Sequence, residues 1–396
     1  MSTQNPVFIP GPTNIPEELR RALDFPTIDH RSAVFVEMLK PALDGVKRIL
    51  KTQHGDTIIL PSTGTGAWEA AVTNMLSPGD TVLAARHGMF SHRWIDLCSR
   101  HGLNVQVIEE EWGRGAPADQ FEKALKADRA HAIRAVLVTH NETATGVRSD
   151  IAAVRRALDA AKHPAMLFVD GVSSIASMDF RMDEWGVDIA ITGSQKGFML
   201  PAGLAILGIS PNAKAAMAAA KCPRCFFDFR DMLRSNENGG FPYTPPVNLI
   251  RGLDLSIRML EAEGLDTVFA RHLRIAEGIR KAVAAWGLGL CAKEPRLYSN
   301  TVSAIVTPPG FDSTRIVTHA ASKYGVAFGV GLGEVAGKVF RIGHLGSMTD
   351  VMALSGIATA EMVMADLGLP IQLGAGVAAA QEHYRSSFAA AQMKAA

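Results

Sequence analysis

The chain has 396 residues, 47% of them hydrophobic, enough to bury a large core, and its length predicts two domains. Lys and Arg total 40 against 39 Asp and Glu, which leaves no charge excess to draw it to nucleic acid or an anionic membrane. No apolar run reaches the roughly 18 residues of a membrane span, the opening MSTQNPVFIPG has no secretory pattern, and four cysteines make no disulfide framework, so a reducing cytoplasm is expected.

Residues 1–15 read as an extended arm with prolines at 6, 10 and 12. Thr13 or Asn14 can cap a short helix that starts near Pro16 and carries Glu17 and Glu18 in its first turn. A second helix is predicted over Ala33–Lys51, kinked or interrupted at Pro41. A regular alternation follows: strand Thr57–Leu60, helix Ala67–Leu76, strand Thr81–Ala85, helix Ser91–Arg100 and strand Val105–Ile108. It continues through helix Ala118–Ala127, strand Ala135–Thr139, helix Asp150–Ala161 and the strands Ala165–Val169, Val187–Thr192 and Gly203–Ile209. Short, continuous apolar strands between helices predict an α/β fold with a mainly parallel sheet buried on both faces.

Residues 221–247 are rich in aromatics, Pro, Gly and Asn without periodicity, and are expected to form a long excursion toward the site or a neighbour. Within them Cys222-Pro-Arg-Cys225 stands alone, with no second CxxC and no His at ligand spacing, so no metal site is expected. Helices at Val247–Glu263 and Leu265–Trp286 lead to strand Thr301–Thr307, helix Ser313–Tyr324, strand Lys338–Ile342 and helix Thr349–Leu367. The last thirty or so residues read as a loosely packed tail. The expected division is an arm over 1–15, a large domain over 16–260 and a smaller α/β domain over 261–396.

Chemistry gathers at the strand ends. Asp170 closes one strand ahead of Gly171-Val172-Ser173-Ser174, and Lys196 follows another after Gly193-Ser194-Gln195. Ligands of open parallel sheets sit beyond these carboxyl ends. A carboxylate and an amine there suit pyridoxal phosphate, the amine as Schiff-base partner and the carboxylate as the group that keeps the ring nitrogen protonated. Taken alone, such an Asp is equally a helix cap and such a Lys an ordinary solvated one. Ser62-Thr63-Gly64-Thr65-Gly66 joins a strand to a helix and is as much a plain tight turn as a phosphate cradle. Glu69 stands where a dinucleotide fingerprint needs its third glycine. Arg341, inside a predicted strand, needs either a structural ion-pair partner or a substrate carboxylate.

PGPTNIP at 10–16, VDGVSS, GSQKG and GKVFRIGHLG at 337–346 together resemble the class V, fold-type I aminotransferases, in particular the aspartate–glyoxylate and serine–glyoxylate branches. That resemblance implies pyridoxal phosphate as cofactor, amino acids and 2-oxo acids as small-molecule substrates, and glyoxylate as the acceptor, with aspartate favoured over serine as donor. It makes Lys196 and Asp170 the catalytic residues. Thr63, Gly64, Thr65 and Gln195 fall at the phosphate, and Phe90 and Val172 at the two faces of the ring, with Trp94 a second choice for stacking. Thr143 falls at the cofactor's phenolic oxygen or the substrate, and Arg341 at the substrate carboxylate. Thr244 matches a residue that reaches the other subunit's phosphate, so a homodimer with shared sites is implied. His30, Arg31, His92 and Arg93 are candidate cations for a second carboxylate. Within the fold a cysteine desulfurase is the rival, although Cys291 is poorly placed for it; a nucleotide-binding α/β protein is the more distant alternative.

Overall fold

The computed structural model describes residues 6–395. A seven-stranded sheet runs in the order Asp56–Ser62, Gly203–Ile209, Ile189–Gly193, Met166–Asp170, Ile133–Thr139, Thr81–Arg86 and Asn104–Glu109. All neighbours are parallel except Gly203–Ile209, which is antiparallel to both strands beside it. Residue parity shows why the strands read as unbroken apolar runs. Leu83, Val136, Leu167 and Val169 pack into one helical layer, and Val82, Leu137, Met166 and Phe168 into the other. Both faces are covered, so both parities are apolar.

A second, five-stranded sheet has the order Val7–Phe8, Ala327–Val330, Val339–Gly343, Val302–Val306 and Gly289–Leu290. Its core gathers Phe8, Ile305, Phe328, Phe340 and Ile342 against the helices Leu265–Ala285, Thr314–Tyr324 and Asp350–Asp366. The described part of the arm is therefore not free. Val7–Phe8 pairs in parallel with Ala327–Phe328, and Asn14 pins Val7 through both its backbone groups, at 2.9 and 2.8 Å.

Several elements differ from expectation. The helix Ala33–Leu50 runs as one element through Pro41. Its buried face of Phe35, Leu39, Ala42, Leu43, Val46 and Ile49 outweighs the one hydrogen bond that proline removes. The excursion at 221–247 contains a helix, Phe229–Glu237, whose first turn is capped by the Asp228 carboxylate. Strand Ala327–Val330 lies in a Gly-rich run that carried no strand signal.

The tail is a helix, Ala375–Ala395, packed along Leu265–Ala285. Tyr384 is buried against Gly278, where a Cβ would collide with the ring, and its hydroxyl donates to the Ile275 carbonyl at 3.1 Å. Glu361 accepts from the Trp286 indole and from the amides of Gly374 and Gly376, fastening the start of this helix. Alanines and glycines made the segment look slack, but they are what allow two helices to approach closely. Tyr384→Ala should cost about 3–5 kcal/mol, as large buried aromatics do, read as a lowered urea midpoint. A loosely packed tail would give a change within about 0.5 kcal/mol.

Candidate active site

The carboxyl ends of Met166–Asp170 and Ile189–Gly193, the N-terminus of the helix Gly64–Met75 and the arm at Gly11–Pro12 enclose a cavity of about 260 Å³. Thr63, Gly64, Thr65, Phe90, Thr143, Asp170, Val172, Gln195 and Lys196 are among the residues that line it. All nine were singled out from the sequence, and the fold brings them together. A groove of about 500 Å³ elsewhere, lined by His140, Arg148 and Trp185 among others, is larger but holds none of them.

Lys196 is 9% exposed, and its amine donates to the Pro10 carbonyl. The arm is locked there by Thr13, whose amide donates to the Gln195 carbonyl and whose hydroxyl donates to the Lys196 carbonyl, both at 3.2 Å. Gly11, at φ +112°, passes so close that a Cβ would meet the lysine side chain at 2.6 Å. Burial lowers the Lys196 pKa to about 8; the positive charge of Arg341 adds to that, and Asp170 opposes it.

Asp170 is 4% exposed and accepts from the Val172 amide at 2.9 Å. Burial pushes its carboxyl up to about 7, against the Val172 hydrogen bond and the Lys196 charge. No Lys, Arg or His nitrogen lies within 4 Å of it among the described residues. Arg341, 6% exposed, donates from Nε to the Val330 carbonyl at 2.9 Å and from NH1 to the Thr143 carbonyl at 3.0 Å. Burial lowers its pKa to about 10, and it too has no carboxylate within 4 Å among the described residues. A structural ion pair is therefore not what holds it. Two carbonyls orient the guanidinium; Arg341 does not itself line the cavity and adjoins it through Thr143, which does.

The cradle needs its glycines. A Cβ on Gly64 would lie 2.6 Å from Val172 Cγ2, and one on Gly66 would overlap Ser62 Oγ. Thr63 occupies the N-cap position without a side-chain cap bond, so its hydroxyl and the first helical amides are unspent. The amide oxygen of Gln195 and the hydroxyl of Thr192 are buried without hydrogen-bond partners. An anion at the helix start would take up the Thr63 hydroxyl and the first helical amides, and a ring cation would pair with Asp170. The residues fit pyridoxal phosphate.

Other residues singled out from the sequence lie away from the cavity. Trp94 does not reach the cavity; it is buried and stacked at 5.7 Å on Trp68, which does. Arg31, His92 and Arg93 are exposed, and neither these nor His30 line the cavity. Arg93 lies over the Phe90 ring at 5.5 Å. Thr244 is exposed and does not line its own chain's cavity. Cys291 is buried, and burial pushes its thiol up to about 11, which suits no nucleophile. Sequence reading passed over Trp68, Pro10 and Ser173, which accepts from Thr143 at 2.7 Å and Asn141 at 2.8 Å. An aromatic four residues after Gly64 was the one available signal for Trp68.

The electrostatics give a direct test. Competitive acylation of cofactor-free protein should show Lys196 titrating near pH 8. Arg341→Leu removes a neighbouring positive charge and should move that midpoint upward, whereas Asp170→Asn removes a negative one and should move it downward. Identical midpoints in all three proteins would disconnect these groups.

The aminotransferase class-V family model matches residues 23–337. The chain is 71% identical over 396 residues to an L-aspartate–glyoxylate aminotransferase of Paracoccus denitrificans, covering 100% of both. It is 54% identical over 380 residues to a serine–glyoxylate aminotransferase of Hyphomicrobium methylovorum, covering 96% of this chain and 94% of that one. The structure of pyridoxamine–pyruvate aminotransferase from Mesorhizobium loti superposes with a TM-score of 0.90 at 28% identity, covering 97% of this chain and 98% of that one.

Proposed function

The chain belongs to the class-V aminotransferases, and on that premise we propose that it transfers the amino group of a small L-amino acid, aspartate by preference, to glyoxylate. The products are glycine and a 2-oxo acid, oxaloacetate when aspartate is the donor. The observation that carries the reading is Arg341, a buried guanidinium oriented by two carbonyls and without a carboxylate within 4 Å among the described residues. Every amino acid donor, and glyoxylate too, presents a carboxylate beside the reacting carbon, and a planar fork binds it through paired N–H···O bonds.

Pyridoxal phosphate, when bound, supplies an aldehyde that takes up the amino group and a ring that accepts electrons from the donor's Cα–H bond. Lys196 holds that aldehyde between turnovers. Its freed amine, with a pKa near 8, accepts the proton from the donor Cα and later returns one to the acceptor carbon. Asp170 pairs with the ring nitrogen and keeps it protonated. Thr63, Gly64, Thr65 and Gln195 bind the phosphate, and Phe90 and Val172 confine the ring from its two sides. Thr143 orients the phenolic oxygen or the substrate. The Pro10 carbonyl gives the released amine of Lys196 a place to rest within the cavity.

The protein acts as a homodimer in this reading. The support is Thr244, exposed on the proline-stiffened segment 241–246, next to an aromatic pair, Phe226 and Tyr243, stacked at 5.1 Å with Phe226 exposed. Four free cysteines suit a reducing cytoplasm, and among the described residues no helix is long and apolar enough to cross a membrane. Serine is the second donor reading, favoured by the relatives that carry serine–glyoxylate in their names.

A panel of L-amino acids against glyoxylate tests the substrate assignment: aspartate should give the highest kcat/KM and form oxaloacetate. Serine leading would move the assignment to the second reading, and no glycine formed from any donor would remove glyoxylate. Arg341→Lys should lower kcat/KM in both half-reactions while the bound cofactor's absorbance is retained, with about 1.5–3 kcal/mol lost per hydrogen bond to charge. Mixed dimers of Thr244→Ala with Lys196→Ala should contain one site with both defects and one with neither. Defects always on separate sites would return Thr244 to its own subunit.

A further inference from the structure

Glu142 is a side chain that none of this uses, although it is fully buried beside the cavity. It ends the short strand Asn141–Glu142, and all its close neighbours are donors. Its Oε2 accepts from the amides of Phe90 at 3.1 Å and Ser91 at 3.0 Å, and its Oε1 from Ala144 at 3.1 Å. Phe90 and Ser91 open the helix Met89–Arg100, so the carboxylate also faces the positive end of a 12-residue helix. Gly88 is shaped to this group, since a Cβ there would collide with Glu142 Cδ. No Lys, Arg or His nitrogen comes within 4 Å of it among the described residues. A carboxylate buried on backbone amides, without a cation, is an expensive way to cap a helix when Ser or Asp at the cap position would serve.

We propose that Glu142 is a positioning residue with two separable effects on the site: its reach anchors Phe90 against the cofactor ring, and its charge tempers the hold of Arg341 on substrate carboxylates. The first effect follows from geometry. Phe90 lines the cavity, and its backbone amide is tied to Glu142, which is not among the lining residues. The second follows from placement. Arg341 bonds to the carbonyl of the Thr143–Ala144 peptide, whose Ala144 amide donates to Glu142, and the Glu142 charge stabilises the guanidinium. That charge also acts on Asp170 and on the buried His87. A clamp that serves two half-reactions must release one 2-oxo acid before gripping the next, and a fixed negative charge behind it weakens both grips equally. The proposal rests on the aminotransferase reading of the cavity.

Two variants separate the effects. Glu142→Asp keeps the charge and shortens the reach. It should bind pyridoxal phosphate about three- to tenfold more weakly in titrations of the cofactor-free protein, with the Ki of propionate as a competitive inhibitor unchanged. Glu142→Gln keeps the length and removes the charge, but it turns one acceptor oxygen into a donor that faces backbone N–H groups, so only its inhibitor affinity reads the charge effect. It should lower the propionate Ki about three- to tenfold, an increase in affinity that damage to the fold would not produce. Parental cofactor affinity in Glu142→Asp would overturn the anchor, and an unchanged or raised propionate Ki in Glu142→Gln would overturn the charge effect. Parent protein that binds no pyridoxal phosphate would overturn the reading of the cavity itself, an outcome distinct from either.

Discussion

Three ionisable side chains taken out of water where the carboxyl end of the large sheet meets the small sheet set the terms for the rest of this structure. Asp170, Lys196 and Arg341 are each at least nine-tenths buried, and none has a counter-ion within 4 Å among the described residues. Desolvation works against every one of them, raising the carboxyl toward about 7 and lowering the amine toward about 8. Backbone groups offset part of that cost: the Val172 amide for Asp170, the Pro10 carbonyl for Lys196, the Val330 and Thr143 carbonyls for Arg341. The remainder is what a ligand with a ring cation, an aldehyde and a carboxylate partner would supply. An unsatisfied charge of this kind is a binding potential held ready by the scaffold.

The scaffold makes this tolerable by fixing both sheets to the same few residues. The arm starts as a strand of the small sheet, passes over Lys196 and is bonded to the peptides on either side of that lysine. Arg341 comes from a strand of the small sheet but orients itself on Thr143, at the end of the large one. Asn141 reaches Thr301 across the same boundary at 3.0 Å. Any shift of one sheet against the other therefore moves the clamp, the lysine and the Thr143 hydroxyl together.

Much of this was legible in the sequence where the signal is local. Continuous apolar runs marked a sheet buried on both faces, and small residues after Asp170 and before Lys196 marked strand ends that turn sharply. The cavity unites those two with Thr63, Phe90, Thr143 and Gln195 as read. What stayed hidden was set by partners distant along the chain. Strand Ala327–Val330 lies in a glycine-rich run and becomes a strand because Val7–Phe8 and Val339–Gly343 flank it. Helix Ala375–Ala395 has no strong apolar face of its own, and it is held by Gly278 and Glu361. Trp68 and Trp94 carry equal weight as letters, and only the turn of their two helices decides which one faces the cavity. Glu142 shows no role in the sequence; one amide donor, Ala144, is local, but the other two, Phe90 and Ser91, lie some fifty residues away along the chain.

The central claim is that the buried carboxyl of Asp170 awaits a cation that the cofactor brings. Protein labelled with carboxyl-13C aspartate, with Asp170 assigned through Asp170→Asn, allows its ionisation to be followed across pH by NMR. The account predicts a midpoint near 7 without cofactor and a marked fall when pyridoxal phosphate is bound, because an adjacent ring cation favours the carboxylate. A midpoint that does not move on binding would contradict it.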